Sequence, residues 1–210
     1  MLPFLGNGDR VYVLGGGGHG RVIAESATRM GLRVEGFIDA DPARGIGYET
    51  FLQKAAQERF GVIPAVGNNK TRQRLCEELR RDGIGIMTVI DPSAIVSNHA
   101  HIGEGSVVLP GAVINTGARI EEGAIINSGA IVEHDCVVGA YAHISPGAAL
   151  AGEAKVGPLS HIGLGARLIQ GANVGKAAVI GAGAVVLGEI PPFVTAVGVP
   201  ARVIKINEDA

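Results

Sequence analysis

INSGAIVEHDCVVGAYAHISPGAALAG, residues 126–152, repeats every six positions at two phases at once. Aliphatic side chains stand at Ile126, Val132, Val138, Ile144 and Leu150, and a small residue follows four places after each, at Ala130, Cys136, Ala142, Ala148 and Ala154. Helices repeat near 3.6 residues and strands at two. A period of six therefore calls for short strand, turn, short strand, turn. The aliphatic residue stacks inward and the small one packs at the corner. The same register runs back to Ile90 and forward to Val186 without a missed step. Glycine often precedes the small residue, as at Gly105, Gly117, Gly129, Gly147, Gly165 and Gly183, where it allows turns that other residues avoid.

Fixed-period similarity of this kind marks a solenoid, here a parallel β-helix from about Ile90 to Gly188. If three steps close one triangular coil, equivalent positions lie eighteen residues apart, and each coil rises by about 4.8 Å, the interstrand spacing. The ends of such a stack need caps. Ile190 to Phe193 can close one end, and Val194 to Ile206 reads as a terminal extension followed by a fraying tail.

Upstream, the pattern changes. Arg10 to Leu14 alternates as a strand, Gly15 to Gly20 forms a glycine loop, and Val22 to Met30 carries helical spacing. Strands follow at Val34–Ile38, Val62–Val66 and Gly85–Val89, with helices at Tyr48–Phe60 and Thr71–Arg81 between them. This βαβαβα order predicts a small Rossmann-like α/β domain over residues 1–89 with a parallel sheet, ahead of a β-helix domain with its cap over 90–210. Gly15, Gly17 and Gly20 satisfy G-x-G-x-x-G between a strand and a helix, and Asp39 follows near the end of the second strand. Such a loop brings backbone N–H groups to phosphate oxygens, and the acidic residue commonly accepts ribose hydroxyls. The competing reading is a tight turn with Asp39 capping a loop. His19 in the loop can face a phosphate or a carbonyl, and Gly67, Asn68 and Asn69 are either an ordinary turn or part of the same ligand edge. The sheet is too short for two mononucleotide halves and no hydride-transfer domain follows, which favours a nucleotide-linked substrate over a dinucleotide oxidoreductase.

Composition bounds the partners. The chain has 210 residues, 47% hydrophobic and 18% charged, with a net charge of -2, so neither nucleic acid nor an anionic membrane is expected. No apolar run approaches a membrane span, and Met1 to Asp9 lacks a secretion signal, which makes the cytoplasm the expected location. Cys76 and Cys136 are read as buried thiols, and there is no zinc spacing.

Glu133, His134 and Asp135 break the filler pattern of the repeat. At a corner His134 and Asp135 should point outward, and the acid can orient one ring nitrogen while the other acts as a base. His143, nine residues on, falls half a coil away, and His161 should stack one coil beyond His143. His99, His101 and His161 read as solvated surface histidines.

With these residues in view, the chain resembles the two-domain hexapeptide-repeat acetyltransferases that modify nucleotide-linked amino sugars, and the sialic acid O-acetyltransferases close to them. The resemblance rests on VYVLGGGGHGRVIAESA (11–27), FIDADP (37–42), AVGNNKTR (65–72), the stretch at 126–152 and AVVLGEIPPFVTAVGVPARVIK (184–205). It implies a left-handed prism, three chains around a threefold axis, acetyl-CoA in the groove between prisms, and the acceptor's nucleotide on the first domain. It makes His134 the general base and Asp135 its partner. His143 would reach the thioester region, and Gly152 would offer backbone groups to the pantetheine arm. Gly17, Gly18, His19 and Asp39 would bind the nucleotide sugar, with Gly67 added from its place at the same carboxyl edge, and no metal is required. Ala40 stands where some N-acetyltransferases carry a second aspartate, leaving the base unspecified. The expected reaction is N-acetylation of a nucleotide-diphosphate 4-amino-4,6-dideoxyhexose in bacterial surface-glycan assembly. Sialic acid O-acetylation and a non-catalytic trimeric scaffold are the alternatives. Outward aliphatics, among them Val107, Leu109, Val113, Ile125, Ile131, Val137 and Ile169, are expected to supply the trimer surface.

Overall fold

The computed structural model describes residues 9–207. The tail 208–210 and residues 1–8, with the reading of a leader there, lie outside the described residues. The chain divides between Pro92 and Ser93 into two compact units.

The first unit runs β1 (Arg10–Leu14), α1 (Gly18–Arg29), β2 (Arg33–Ile38), α2 (Tyr48–Ala55), β3 (Gly61–Pro64), α3 (Asn69–Arg81) and β4 (Gly85–Ile86). The sheet is parallel in the order β2-β1-β3-β4. Apolar strand residues Val11, Val13, Val62 and Ile63 are fully buried, together with Ile23 and Ala27 of α1, Phe51 of α2 and Leu79 of α3. Strand order reverses between β1 and β3, and ligands of open parallel sheets bind beyond the carboxyl ends at such a reversal. The segments after those two ends are Gly15–Gly17 and Ala65–Asn68.

The third strand ends at Pro64 and the fourth at Ile86, short of the expected Val66 and Val89, and three helix boundaries shift by two residues or more. Helix α1 starts at Gly18, four residues early, so Gly18, His19 and Gly20 form its first turn. Gly20 packs so closely on the Gly15 carbonyl that any Cβ would overlap it, which lets helix and strand approach. Helix α2 stops at Ala55, because Phe60 is withdrawn to pack edge-on against Tyr12, 5.2 Å between ring centroids. Helix α3 begins at Asn69, with the Asn68 side chain accepting the Thr71 N–H at 3.0 Å as its cap.

The second unit is a parallel β-solenoid whose coils pair in a register of eighteen, shortened to sixteen at the last turn, where Asn173 pairs with Glu189 and Val179 with Thr195. One ladder carries His101, Arg119, Val137, Lys155, Asn173 and Glu189 outward. A second carries Val107, Ile125, His143, His161 and Val179, and a third Ile95, Val113, Ile131, Ala149, Arg167 and Val185. Every inward aliphatic from Val108 to Val186 is buried, as is every small corner residue from Ser106 to Ala184. Each buried aliphatic is worth about 1.5–3 kcal/mol, so the stack is held by repetition rather than by a single core. Where serine replaces alanine its hydroxyl is satisfied. Ser106 Oγ donates to Glu121 O at 2.9 Å and Ser160 Oγ to Gly175 O at 2.6 Å.

The corner glycines adopt left-handed angles, as at Gly117 (φ 72°), Gly129 (φ 65°) and Gly183 (φ 66°). Asp135, Tyr141, Glu153, Leu159, Ala177 and Phe193 take the same conformation without being glycine. At the end, Val194–Val197 extends the second ladder and pairs antiparallel with Arg202–Ile206, the expected terminal extension. The outward aliphatics divide. Ile131 and Ile169 are exposed, but Val107, Leu109 and Ile125 are fully buried within the single chain and Val113 and Val137 are half-buried. The buried three cannot serve as a surface for another copy, because this chain already covers them.

Candidate active site

His134 and Asp135 occupy a corner of the solenoid between the third and first ladders. Asp135 sits at φ 58° with its N–H donating to Thr116 O at 3.0 Å. That conformation costs a residue other than glycine about 1–3 kcal/mol and concentrates at functional sites. It points the carboxylate at the imidazole: His134 Nδ1 and Asp135 Oδ2 are 3.0 Å apart. An ionised carboxylate can only accept, so the proton of the neutral ring lies on Nδ1 and Nε2 is left basic. The bond to Asp135, with the charges of Glu133 and Glu153 behind it, holds the His134 pKa above the ordinary histidine value. Both side chains are exposed, 47% and 63%, as corner positions require.

Gly152 lies one coil after His134. The imidazole rests against its backbone, where a Cβ would collide with Nε2 and stand 2.5 Å from Cε1 of the ring. The residue expected to serve pantetheine therefore also seats the base.

His143 is 8% exposed on the second ladder. Its Nε2 meets the Asn127 amide nitrogen at 3.0 Å. The amide is oriented by the Ser128 N–H, which donates to Asn127 Oδ1 at 2.8 Å. Asn127 escaped the sequence reading, although partners across one coil differ by about eighteen residues and these two differ by sixteen. His161 stacks on His143 as expected, 4.7 Å between centroids. It is not merely solvated, however, because its Nε2 bonds Ser145 Oγ at 3.0 Å. His99 and His101 are exposed. The dyad and the His143 cluster remain separate within one chain. A groove of about 690 Å³ lined by His101, Glu104, Glu121, Glu122, Lys155 and Asn173 contains neither. Cys136, next to the dyad, is buried and donates to Ala151 O at 3.1 Å, and burial pushes its thiol pKa up to about 11.

In the first unit, Asp39 accepts the N–H of Gly16 at 2.7 Å and of Asp41 at 2.9 Å. These backbone donors hold its pKa below the usual carboxylate range. Asp39 thus ties the glycine loop to the end of β2, while a carboxylate's remaining lone pairs stay available to hydroxyls. Gly17, Gly18 and Gly67 face space that a Cβ would scarcely fill, as close approach of a ligand to the backbone needs. Burial, and then the charge of Arg72, push the pKa of His19 in the first turn of α1 below the ordinary histidine value. Arg72, fully buried, donates to Val66 O at 2.8 Å and to Asn69 Oδ1 at 3.0 Å. Sequence alone gave Arg72 no role, since an arginine in a polar helix reads as surface. Asn68 and Asn69 are occupied as cap and Arg72 partner, the turn alternative for both. Among the described residues no group of three His, Cys, Asp or Glu side chains is placed to hold a metal ion. No described helix is long and apolar enough to cross a membrane.

Residues 10–79 match the PglD N-terminal domain family, and residues 117–152 the bacterial transferase hexapeptide (six repeats) family. The chain is similar to PerB from Caulobacter crescentus, solved in complex with CoA and GDP-perosamine, at 40% identity and a TM-score of 0.87, covering 93% of this chain and 97% of that one. It is similar to the acetyltransferase domain of PglB from Neisseria gonorrhoeae, solved with acetyl coenzyme A, at 38% identity and a TM-score of 0.88 over 94% of this chain and 100% of that one. A UDP-N-acetylbacillosamine N-acetyltransferase of Bacillus subtilis is 42% identical over 107 residues, 46% of this chain. The match spans about half that relative's length, 49%. An α/β unit followed by a β-solenoid, a His–Asp corner in the solenoid and likeness across both units together place the chain in the two-domain hexapeptide-repeat acetyltransferases that act on nucleotide-linked amino sugars.

Proposed function

We propose that the chain transfers acetyl from acetyl-CoA to the amine of a nucleotide-diphosphate 4-amino-4,6-dideoxyhexose. The observation that carries the reading is the 3.0 Å His134–Asp135 pair at an exposed corner, with Nε2 left as acceptor. The neutral amine attacks the thioester carbonyl, His134 Nε2 takes the amine proton, and the C–S bond breaks as the amide forms. The proton then passes to the departing thiolate. His143, oriented by Asn127, and the backbone at Gly152 are the groups assigned to the thioester end. Gly17, Gly18, His19, Asp39 and Gly67 are assigned to the nucleotide. A Rossmann-like reading of the first unit, with the diphosphate at the start of α1, rests on the β1/β3 reversal and the open glycines. Helix N-termini favour anions through unpaired N–H groups and the helix dipole.

The dyad and the His143 cluster would complement each other across two copies in a homotrimer, with a left-handed prism in each. Exposed Ile131 precedes the dyad's corner, and exposed Ile169 follows the strand two coils further along the same ladder, and both support an interface on that edge. The deciding assay measures CoA thiol release against a panel of nucleotide-linked amino sugars and free sialic acids. Turnover confined to amino-sugar nucleotides is expected. Turnover of sialic acid alone would transfer the reading to O-acetylation, and CoA binding with no turnover across the panel would favour a scaffold.

A further inference from the structure

An exposed histidine and an exposed aspartate do not ordinarily hold one geometry, because neither is packed. Here each lies on a glycine of an adjacent coil. Eighteen residues before Asp135 stands Gly117, and a Cβ built there would collide with Asp135 Oδ1 and lie 3.3 Å from Asp135 Cγ. Eighteen residues after His134 stands Gly152, whose Cβ would collide with His134 Nε2 and stand 2.5 Å from Cε1. The next corner repeats the device: the Tyr141 ring lies over Gly123, also eighteen residues before it, within 3.2 Å at Cζ of a Cβ built there. Elsewhere the corners keep glycine with open space, as at Gly129, Gly147, Gly165 and Gly183. The left-handed turn alone accounts for those glycines. It does not account for Gly152, which has no left-handed angle.

We propose that Gly117 and Gly152 are positioning residues of the base, two missing side chains one coil before and one coil after the dyad that form the seats of the Asp135 carboxylate and the His134 ring. This rests on the reading of His134 as the base. The seat at Gly117 acts through the dyad alone, whereas the backbone of Gly152 is also assigned to the thioester end, so its effect on the base is read without CoA. The two seats explain how a solvent-facing pair holds a productive bond: the carboxylate is laid down on one coil and the ring on the other, with Nε2 and Cε1 the ring atoms nearest Gly152. A methyl at either seat meets the end of a side chain rather than backbone, so the dyad shifts while the coil stays.

The test compares Gly117→Ala with Gly183→Ala. Both place alanine at nearly the same left-handed angle, φ 72° and 66°, but only the first meets a side chain. Gly117→Ala is expected to remain assembled by light scattering and to lose at least about tenfold in kcat, within the range a positioned base contributes. Its KM for acetyl-CoA should be nearly unchanged. Gly183→Ala should stay within about twofold of the parent. A base works deprotonated, so the acid limb of kcat/KM reports the His134 pKa, which Asp135, Glu133 and Glu153 raise. Moving the carboxylate off the ring should shift that limb to lower pH in Gly117→Ala, which general loosening of the coil would not do. On an Asp135→Asn background the same substitution should add little, because its effect passes through the carboxylate. Should Gly117→Ala not assemble, Gly152→Ala, free of left-handed strain, supplies the measurement. Without CoA present, its His134 proton-NMR titration should move to lower pH. Equal losses in Gly117→Ala and Gly183→Ala, or an unmoved profile and titration, would overturn the seats. Retained activity in His134→Ala would instead overturn the base itself, so the two failures are distinguishable.

Discussion

Because His134 is half exposed and outside the aliphatic stack, removing it separates chemistry from folding. His134→Ala is expected to assemble normally, bind acetyl-CoA as the parent does and lose about 10²–10⁴-fold in kcat, the usual contribution of a positioned base. Steady-state rates at saturating acetyl-CoA, with scattering to show assembly, check it. More than about half of the parent kcat/KM would show that His134 is not the base. Asp135→Asn keeps the turn but takes away the charge that raises the His134 pKa. Its rate should fall less, and the pH at which activity rises should move down rather than up. The signal for this pair was plain in the sequence, since Glu133, His134 and Asp135 interrupt a regular filler pattern. What holds it was not, because Gly117 looks like any other corner glycine until its neighbour eighteen residues on is seen to lie over it.

Helix α1 and the loop before it form the element that meets the nucleotide in the proposed reading. A Cβ at Gly17 meets nothing within 4 Å in the unliganded chain, so Gly17→Leu should fold. It should raise the KM of the nucleotide sugar while leaving acetyl-CoA affinity as it was, since the reading assigns the two ligands to different units. Calorimetry with each ligand measures both arms, and unchanged acceptor affinity would remove the loop from recognition. Arg72→Met should behave differently. It leaves the Val66 carbonyl and the Asn69 amide without their donor, and a buried acceptor left unpaired costs about 1–3 kcal/mol. Thermal melting would show it, and an unchanged Tm would mean that water replaces the guanidinium. The strand–helix alternation of this unit was legible from apolar spacing. The start of α1 was not, because a helix opening on Gly-His-Gly carries none of the usual first-turn signals. The burial of Arg72 was equally hidden, for it depends on carbonyls that the β3–α3 turn directs inward.

For the whole molecule, the expected assembly is a trimer, and Ile131→Glu together with Ile169→Glu should break it, because both are exposed apolar residues along the edge of the third ladder that leads into the dyad's corner. Light scattering should then give a monomer, and acetyl transfer should fall with it if the site is completed by a second copy. A parent that is monomeric, or a monomeric variant of full activity, would remove the shared site. The solenoid was fully legible because its code is arithmetic, two phases of a period of six. Which outward aliphatics remain exposed was not, since Val107, Leu109 and Ile125 are fully buried although the repeat places them outward. The eighteen-residue register sets a rule for how such a molecule can change length. An insertion of eighteen residues writes one more rung and leaves every pair on either side in phase. A single inserted residue would turn the following aliphatics outward, as a one-residue slip does in any strand, unless it is extruded as a bulge at a corner. Like a reading frame, the stack tolerates whole words and rejects single letters. His134, Asp135 and the glycines on either side of them are spelled across three consecutive words, so the coils from Gly117 to Gly152 are the stretch in which not even a whole word can be added.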